Sequence, residues 1–101
     1  MTAQSRWHLQ DAPGHFYSGE QARLLLGNRR DHGSPETWFE DERGRLLAVT
    51  TDGARASVRL MAGPGDAGER LTATFEVAGR AVAHLIDHGV WPAEVSVEDD
   101  R

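Results

Sequence analysis

The chain of 101 residues contains 39% hydrophobic and 27% charged residues, a composition typical of one globular domain, which we predict to span residues 1–101. It has no cysteine, which excludes disulfides and thiolate metal ligands. Sixteen acidic residues outnumber eleven arginines, and the net charge of −5 disfavours binding to nucleic acid.

The amino terminus and the hydropathy of the chain bear on its location. Residues 1–10 contain one arginine and no apolar run, so they do not resemble a signal peptide. No stretch approaches the ~20 apolar residues of a membrane span. Small secreted domains often carry disulfides, whereas this chain has no cysteine. We therefore predict a cytoplasmic protein that binds no membrane.

The first predicted elements are a short strand and a short helix. Residues 6–10 alternate between polar and apolar, which predicts a half-buried strand, and residues 11–14 break it. Ser18 and Gln21 form a capping-box pattern, so we expect a helix to begin there. A Gly-Asn pair at 27–28 predicts its end.

An antiparallel meander is predicted after a polar loop. Its four strands are expected over residues 36–40, 45–51, 55–61 and 69–77. The Asp-Gly pair at 52–53 is typical of a tight hairpin. Apolar and polar residues alternate from Leu71 to Val77, which indicates a sheet with one covered and one solvated face.

The strongest periodic pattern lies near the C-terminus. Six apolar residues recur at helical spacing and predict an amphipathic helix: Val77, Ala78, Ala81, Val82, Leu85 and Ile86. Gly89 predicts its left-handed cap, and residues 93–98 alternate as a last strand. We therefore expect an α+β fold, a mainly antiparallel sheet of about six strands with two helices packed on one face, in the order β-α-β-β-β-β-α-β.

The motifs of enzymes are missing or misplaced. Residues 63–68 match the letters of the dinucleotide fingerprint, but a strand rather than a helix is predicted to follow them. We interpret this segment as a hairpin loop. The sequence contains no Gly-x-Ser-x-Gly nucleophile elbow. We predict a non-enzymatic protein with no catalytic residue and no cofactor.

His84 and His88 lie four residues apart on the last helix and are weak candidates for a metal site. Zinc needs three or four ligands, so a third would have to come from His8, His15 or His32. We favour the alternative of an exposed pair whose partial positive charge suits the helix C-terminus. No metal is therefore predicted.

Two acidic runs occupy residues 40–42 and 98–100. Such runs are usually solvated, but an electronegative surface also steers a basic protein partner. Nearby aromatic residues supply candidate anchors. We predict that the partner-binding residues are Trp38, Glu40, Asp41, Glu42 and Trp91.

Residues 36–98 resemble a known family. A strand ending in Phe75-Glu76-Val77 leads into a helix, then Gly89, Trp91-Pro92 and a final alternating strand. This order is similar to the closing unit of the first-numbered immunity-protein family of bacterial polymorphic toxin systems. The hairpin with Trp38-Phe39 is similar to that family's central meander.

The resemblance implies an inhibitor that binds a cognate protein toxin, in some cases a nucleic-acid deaminase, and blocks its active site. An acidic domain suits a toxin with a basic substrate groove. Two alternatives stay open. One is a small-ligand or metal-binding domain that uses His84 and His88, and the other is a structural subunit, monomeric or homodimeric, that pairs through its sheet.

Overall fold

The computed structural model describes residues 5–99, which form two helices and a seven-stranded antiparallel sheet in the order β2-β1-β3-β4-β5-β6-β7. The strands are β1 (Trp7–Leu9), β2 (Ala12–Tyr17), β3 (Glu36–Asp41), β4 (Leu46–Asp52), β5 (Arg55–Met61), β6 (Glu69–Thr74) and β7 (Glu98–Asp99). The helices are α1 (Gly19–Asp31) and α2 (Phe75–His88). The predicted α+β class is confirmed, whereas the chain order is β-β-α-β-β-β-β-α-β, with one strand more than expected.

Both helices pack on one face of the sheet, which we call the covered face. The register pairs Phe39 with Leu47 and Val49 with Val58, so these side chains point the same way. They form a single buried cluster with residues from both helices. The largest fully buried members are Trp7, Leu26, Phe39, Leu47, Val49, Val58, Val82 and Leu85.

Helix α1 begins where the sequence predicted. The Ser18 hydroxyl accepts from the Gln21 amide at 3.2 Å, and the Gln21 side chain accepts from the Ser18 amide at 3.0 Å, which confirms the capping box. The predicted end at residues 27–28 is wrong, because the helix continues to Asp31. Its last turn places the Arg30 guanidinium 4.0 Å from the centre of the Phe75 ring, a contact that favours the longer helix.

The boundary between β6 and α2 differs from the prediction. The strand ends at Thr74, whose hydroxyl accepts from the Val77 amide at 3.3 Å and caps the helix. Residues 75–77, expected to extend the strand, form the first helical turn instead. Five of the six residues of the apolar stripe are buried on the covered side, whereas Val77 is half-buried, and Gly89 ends the helix with φ of 79° as predicted.

Two further elements were mispredicted. Residues 12–17 form the edge strand β2, although Pro13 and Gly14 indicated a break. Residues 93–95 form a turn and a bend, and of the strand expected over residues 93–98 only Glu98 pairs with β6, in a two-residue strand completed by Asp99. Trp91, just before this segment, and Val95 within it are partly buried and pack against the core cluster.

The helices are short. Neither of the two helices found within residues 5–99 has the length and apolar character needed to cross a lipid bilayer.

Candidate functional site

The second face of the sheet, which we call the open face, carries the candidate site. Cross-strand pairing aligns two rows of side chains on it. The central row is Trp38, Ala48, Arg59, Arg70 and Glu98, one residue from each strand between β3 and β7. The second row is Phe16, His8, Glu40, Leu46 and Met61. Within residues 5–99, both helices lie on the covered side, so these rows face away from the helices. Leu46 and Met61 are nevertheless buried, at 5% and 7% exposure, and the other members are half-buried or exposed.

A shallow groove of about 280 Å³ crosses the central row. Ala48 has the smallest side chain of the row and lies between Trp38 and Arg59, so the surface dips there. Thr50 and Ser57 continue the floor with small polar side chains. The groove is open along its length and is bordered by an aromatic ring on one side and guanidinium groups on the other. It suits a protruding side chain or a chain segment rather than an enclosed small molecule.

Trp38 is the aromatic anchor of this groove. Its side chain is half-buried, and its indole N–H donates to the Glu36 carboxylate. The hydrogen bond fixes the ring against the sheet and leaves part of it exposed. A rigid, partly exposed tryptophan loses little conformational entropy on binding, which is one reason tryptophan is enriched among interface hot spots.

The charges on the open face are mixed rather than acidic alone. Glu40 lies 3.9 Å from the His8 imidazole, and Arg70 lies 3.5 Å from the Glu98 carboxylate. The acidic side chains Glu36 and Glu40 lie on the β3 side, whereas Arg59 and Arg70 occupy the middle. The open face therefore has an acidic margin on the β3 side and two central arginines, of which Arg70 is paired with Glu98.

Glu42 extends this acidic margin from the turn after β3. Its carboxylate accepts two hydrogen bonds from the Arg6 guanidinium, at 3.2 and 2.9 Å, and one from the Arg6 amide at 3.0 Å. Hydrogen bonding to Arg6 holds the pKa of Glu42 below its ordinary value. The same guanidinium lies 4.1 Å from the centre of the Phe16 ring, so Glu42 is tied to the margin of the open face.

Asp41, in contrast to Glu42, is buried and stabilises the turn after β3. It is 2% exposed and its carboxylate accepts from the amides of Arg43 and Arg45, at 3.0 and 2.7 Å, and from the Arg45 guanidinium at 2.7 Å. All of these bonds close the turn between β3 and β4. We therefore leave Asp41 out of the contact surface, although its sequence run suggested it.

Trp91 also lies away from the open face. It follows α2, is partly buried, and packs against the core cluster. Its indole nitrogen is buried and makes no hydrogen bond within the described residues. Of the five predicted contact residues, the structure brings Trp38 and Glu40 together on the open face and places Glu42 at its margin. Asp41 is buried in a turn, and Trp91 packs partly buried against the core. Asp100 of the second acidic run lies outside the described residues.

The residues at the centre of the open face were not predicted as site residues. Ala48, Arg59, Met61 and Arg70 were expected only as parts of strands. Period-two alternation would group Arg59 with Met61 on one strand. Their position opposite Trp38 requires the register between strands, which the sequence does not specify.

The segment that matches the dinucleotide fingerprint and the His84–His88 pair both lie outside the groove of the open face. Residues 62–68 form the loop between β5 and β6, which confirms the predicted hairpin loop. The His84 and His88 rings lie on α2 with centroids 4.5 Å apart. Across residues 5–99 no three histidine, aspartate or glutamate side chains are grouped around a possible metal position.

Comparisons of this chain with protein-family models, with curated proteins and with solved structures find no match.

Proposed function

We propose that this chain is a non-enzymatic protein-binding module that contacts its partner through the open face of the sheet. The observation that carries the proposal is the central row, where Trp38 faces Arg59 and Arg70 across a groove floored by Ala48. Tryptophan and arginine are the residue types most enriched among binding hot spots. Here they share one accessible surface on a rigid scaffold.

The shape of the groove favours a protein over a small ligand. Small-molecule sites bury most of the ligand in a concave pocket. The groove on the open face is shallow and continuous with the rest of the sheet, a geometry that suits a loop or a strand of a second protein. The acidic margin formed by Glu36, Glu40 and Glu42 favours a partner with a basic surface.

The resemblance of residues 36–98 to immunity proteins suggests the kind of partner. We propose a cognate bacterial toxin, neutralised in the cytoplasm by occlusion of a basic substrate groove. In this arrangement Trp38 fills a pocket on the toxin, and the acidic margin pairs with arginines or lysines around it. Acidic groups that take the place of a substrate's phosphates would block that site without chemistry.

The test is co-expression with the product of the adjacent gene, followed by measurement of the dissociation constant by titration calorimetry. Trp38→Ala is expected to weaken binding by about 30-fold or more, the effect of removing a hot spot of about 2 kcal/mol. The matched control is Leu24→Ala, because Leu24 is an apolar residue that is 68% exposed on the helical side. It is expected to leave binding unchanged.

Several outcomes would contradict the proposal. If Leu24→Ala weakens binding and Trp38→Ala does not, the helical layer is the contact surface. If the adjacent gene product does not bind, the toxin hypothesis is wrong. Light scattering that reports a homodimer disrupted by Trp38→Ala would assign the open face to self-association.

A further inference from the structure

The last turn of α2 presents two imidazole rings side by side. His84 and His88 are separated by one helical turn, and their ring centroids lie 4.5 Å apart with the planes tilted by 46°. His88 is exposed and His84 is half-buried. The pair is accessible from solvent and lies on the helical side, away from the groove of the proposed protein-binding site.

The orientation of the His84 ring is fixed by a hydrogen bond. Its Nδ1 atom lies 2.9 Å from the carbonyl oxygen of Val90. A carbonyl oxygen only accepts, so Nδ1 carries the proton in this bond and Nε2 of the neutral ring keeps a free lone pair. Metal-binding histidines commonly have this arrangement, in which the second ring nitrogen donates to a backbone carbonyl and orients the ligand atom.

The end of a helix also favours a bound cation. The carbonyl groups of the last turn give the helix C-terminus a partial negative charge. Gly89 closes α2 here with its amide 2.7 Å from the Leu85 carbonyl oxygen. The adjacent Asp87 carboxylate accepts from the Gly19 amide at 2.8 Å and is directed toward α1, so the two imidazoles are the ligands that this turn offers.

We propose that His84 and His88 form a bidentate site for a divalent transition-metal ion, with Nε2 of His84 and one imidazole nitrogen of His88 as ligands. Imidazole nitrogen is a suitable ligand for Cu²⁺, Ni²⁺ and Zn²⁺. Among these ions the affinity is highest for Cu²⁺, as in the Irving–Williams order. The remaining coordination positions are open to water or to a side chain of another molecule. The bound metal ion is therefore expected to exchange with ions in solution.

The experiment is a calorimetric titration of the metal-free full-length chain with Cu²⁺ at neutral pH. The unaltered protein is expected to bind one equivalent more tightly than any single imidazole does. His84→Ala and His88→Ala are each expected to weaken that step by at least about tenfold, because the second ligand of a chelate binds at high effective concentration.

His32→Ala is the matched control. His32 is exposed, and its Nδ1 lies 2.8 Å from the Asn28 carbonyl oxygen, so it has the same kind of ring hydrogen bond as His84. No histidine lies one helical turn from it. His32→Ala is therefore expected to bind Cu²⁺ like the unaltered chain, and circular dichroism verifies that each variant is folded.

The outcome in His88→Ala decides the matter, because His88 is exposed and its replacement leaves the His84–Val90 bond in place. Unchanged Cu²⁺ affinity in this variant would overturn the proposal. Equal losses in His32→Ala and His88→Ala would also overturn it, because binding would then reflect scattered single histidines. One Cu²⁺ per two chains, abolished by either α2 substitution, would support it with the open positions filled by a second copy.

Discussion

The two faces of the sheet differ in what their side chains do, and β3 illustrates the difference within two consecutive residues. Phe39 points into the covered face and is 0% exposed, whereas Trp38 points to the open face and is half-buried. The covered face is aliphatic and aromatic, with its interior filled by helix residues. The open face combines an aromatic ring, small polar groups and charges. The core thus lies on one side of these strands, and the surface that we propose for partner binding lies on the other.

The largest expected effect tests this division directly. Phe39→Ala removes a fully buried ring and is expected to lower the free energy of unfolding by about 3–5 kcal/mol. Trp38→Ala removes a ring that rests on the open face and is expected to cost about 1 kcal/mol. Urea denaturation followed by circular dichroism measures both. Similar losses in the two variants would break the distinction between the faces.

The second test concerns the turn after β3, where two neighbouring acids have different environments. Asp41→Ala leaves two backbone amides and the Arg45 guanidinium without this acceptor and is expected to cost about 2–3 kcal/mol. Glu42→Ala removes an exposed carboxylate and is expected to have a much smaller effect. The unfolding free energies of the two variants are compared in urea. A larger loss in Glu42→Ala would contradict the structural role of Asp41.

The third test addresses how closely the helices approach each other on the covered face. A Cβ atom on Gly19 would overlap the carbonyl oxygen of Ala83 and the Asp87 carboxylate. Gly19→Ala is therefore expected to cost about 1–3 kcal/mol. Gly27 lies in the same helix with open space where a methyl group would stand, so Gly27→Ala is expected to stabilise the chain by about 0.5–1 kcal/mol. Thermal unfolding measures whether Gly19→Ala lowers and Gly27→Ala raises the stability of the chain.

The smallest effect concerns the margin of the open face. The pKa of Glu42 is lowered from 4.5, its ordinary value, chiefly by hydrogen bonds from Arg6. A lowered folded-state pKa gives stability that is present above the unfolded-state value and is lost as the pH falls through the folded-state value. Arg6→Gln is expected to return the pKa of Glu42 toward 4.5. An NMR titration of its carboxyl carbon measures this, and an unchanged pKa would contradict the pairing.

Signals that lie within a few residues of each other predicted the fold best. The capping box of Ser18 and Gln21 and the cap at Gly89 were predicted correctly because their determinants are local. Pro13 and Gly14 were misleading, because an edge strand needs no donor on its outer side and tolerates proline. The helix start at Thr74 was missed, since the alternation of Leu71 to Val77 continues through the point where the helix begins.

The candidate site was predictable in part. Alternation places Trp38 and Glu40 on one face and Asp41 on the other, so the interior position of Asp41 could have been inferred from the strand alone. The position of Arg59 and Arg70 opposite Trp38 could not be inferred, because it depends on the register of β5 and β6 against β3. The position of Trp91 could not be inferred either, because it depends on the path of the chain after α2.

The position of β1 has a consequence for how the molecule opens. All adjacent strands from β3 to β6 are hairpin neighbours, but β1 joins β3 across an intervening helix. Three residue pairs, the bond from the Gln10 amide to the Trp38 carbonyl at 3.0 Å, and the Arg6–Glu42 and His8–Glu40 side-chain contacts join the two strands. Separation of β1 from β3 would release the β1–β2 hairpin and expose the edge of β3. Two molecules opened in this way could exchange their hairpins and form a domain-swapped dimer.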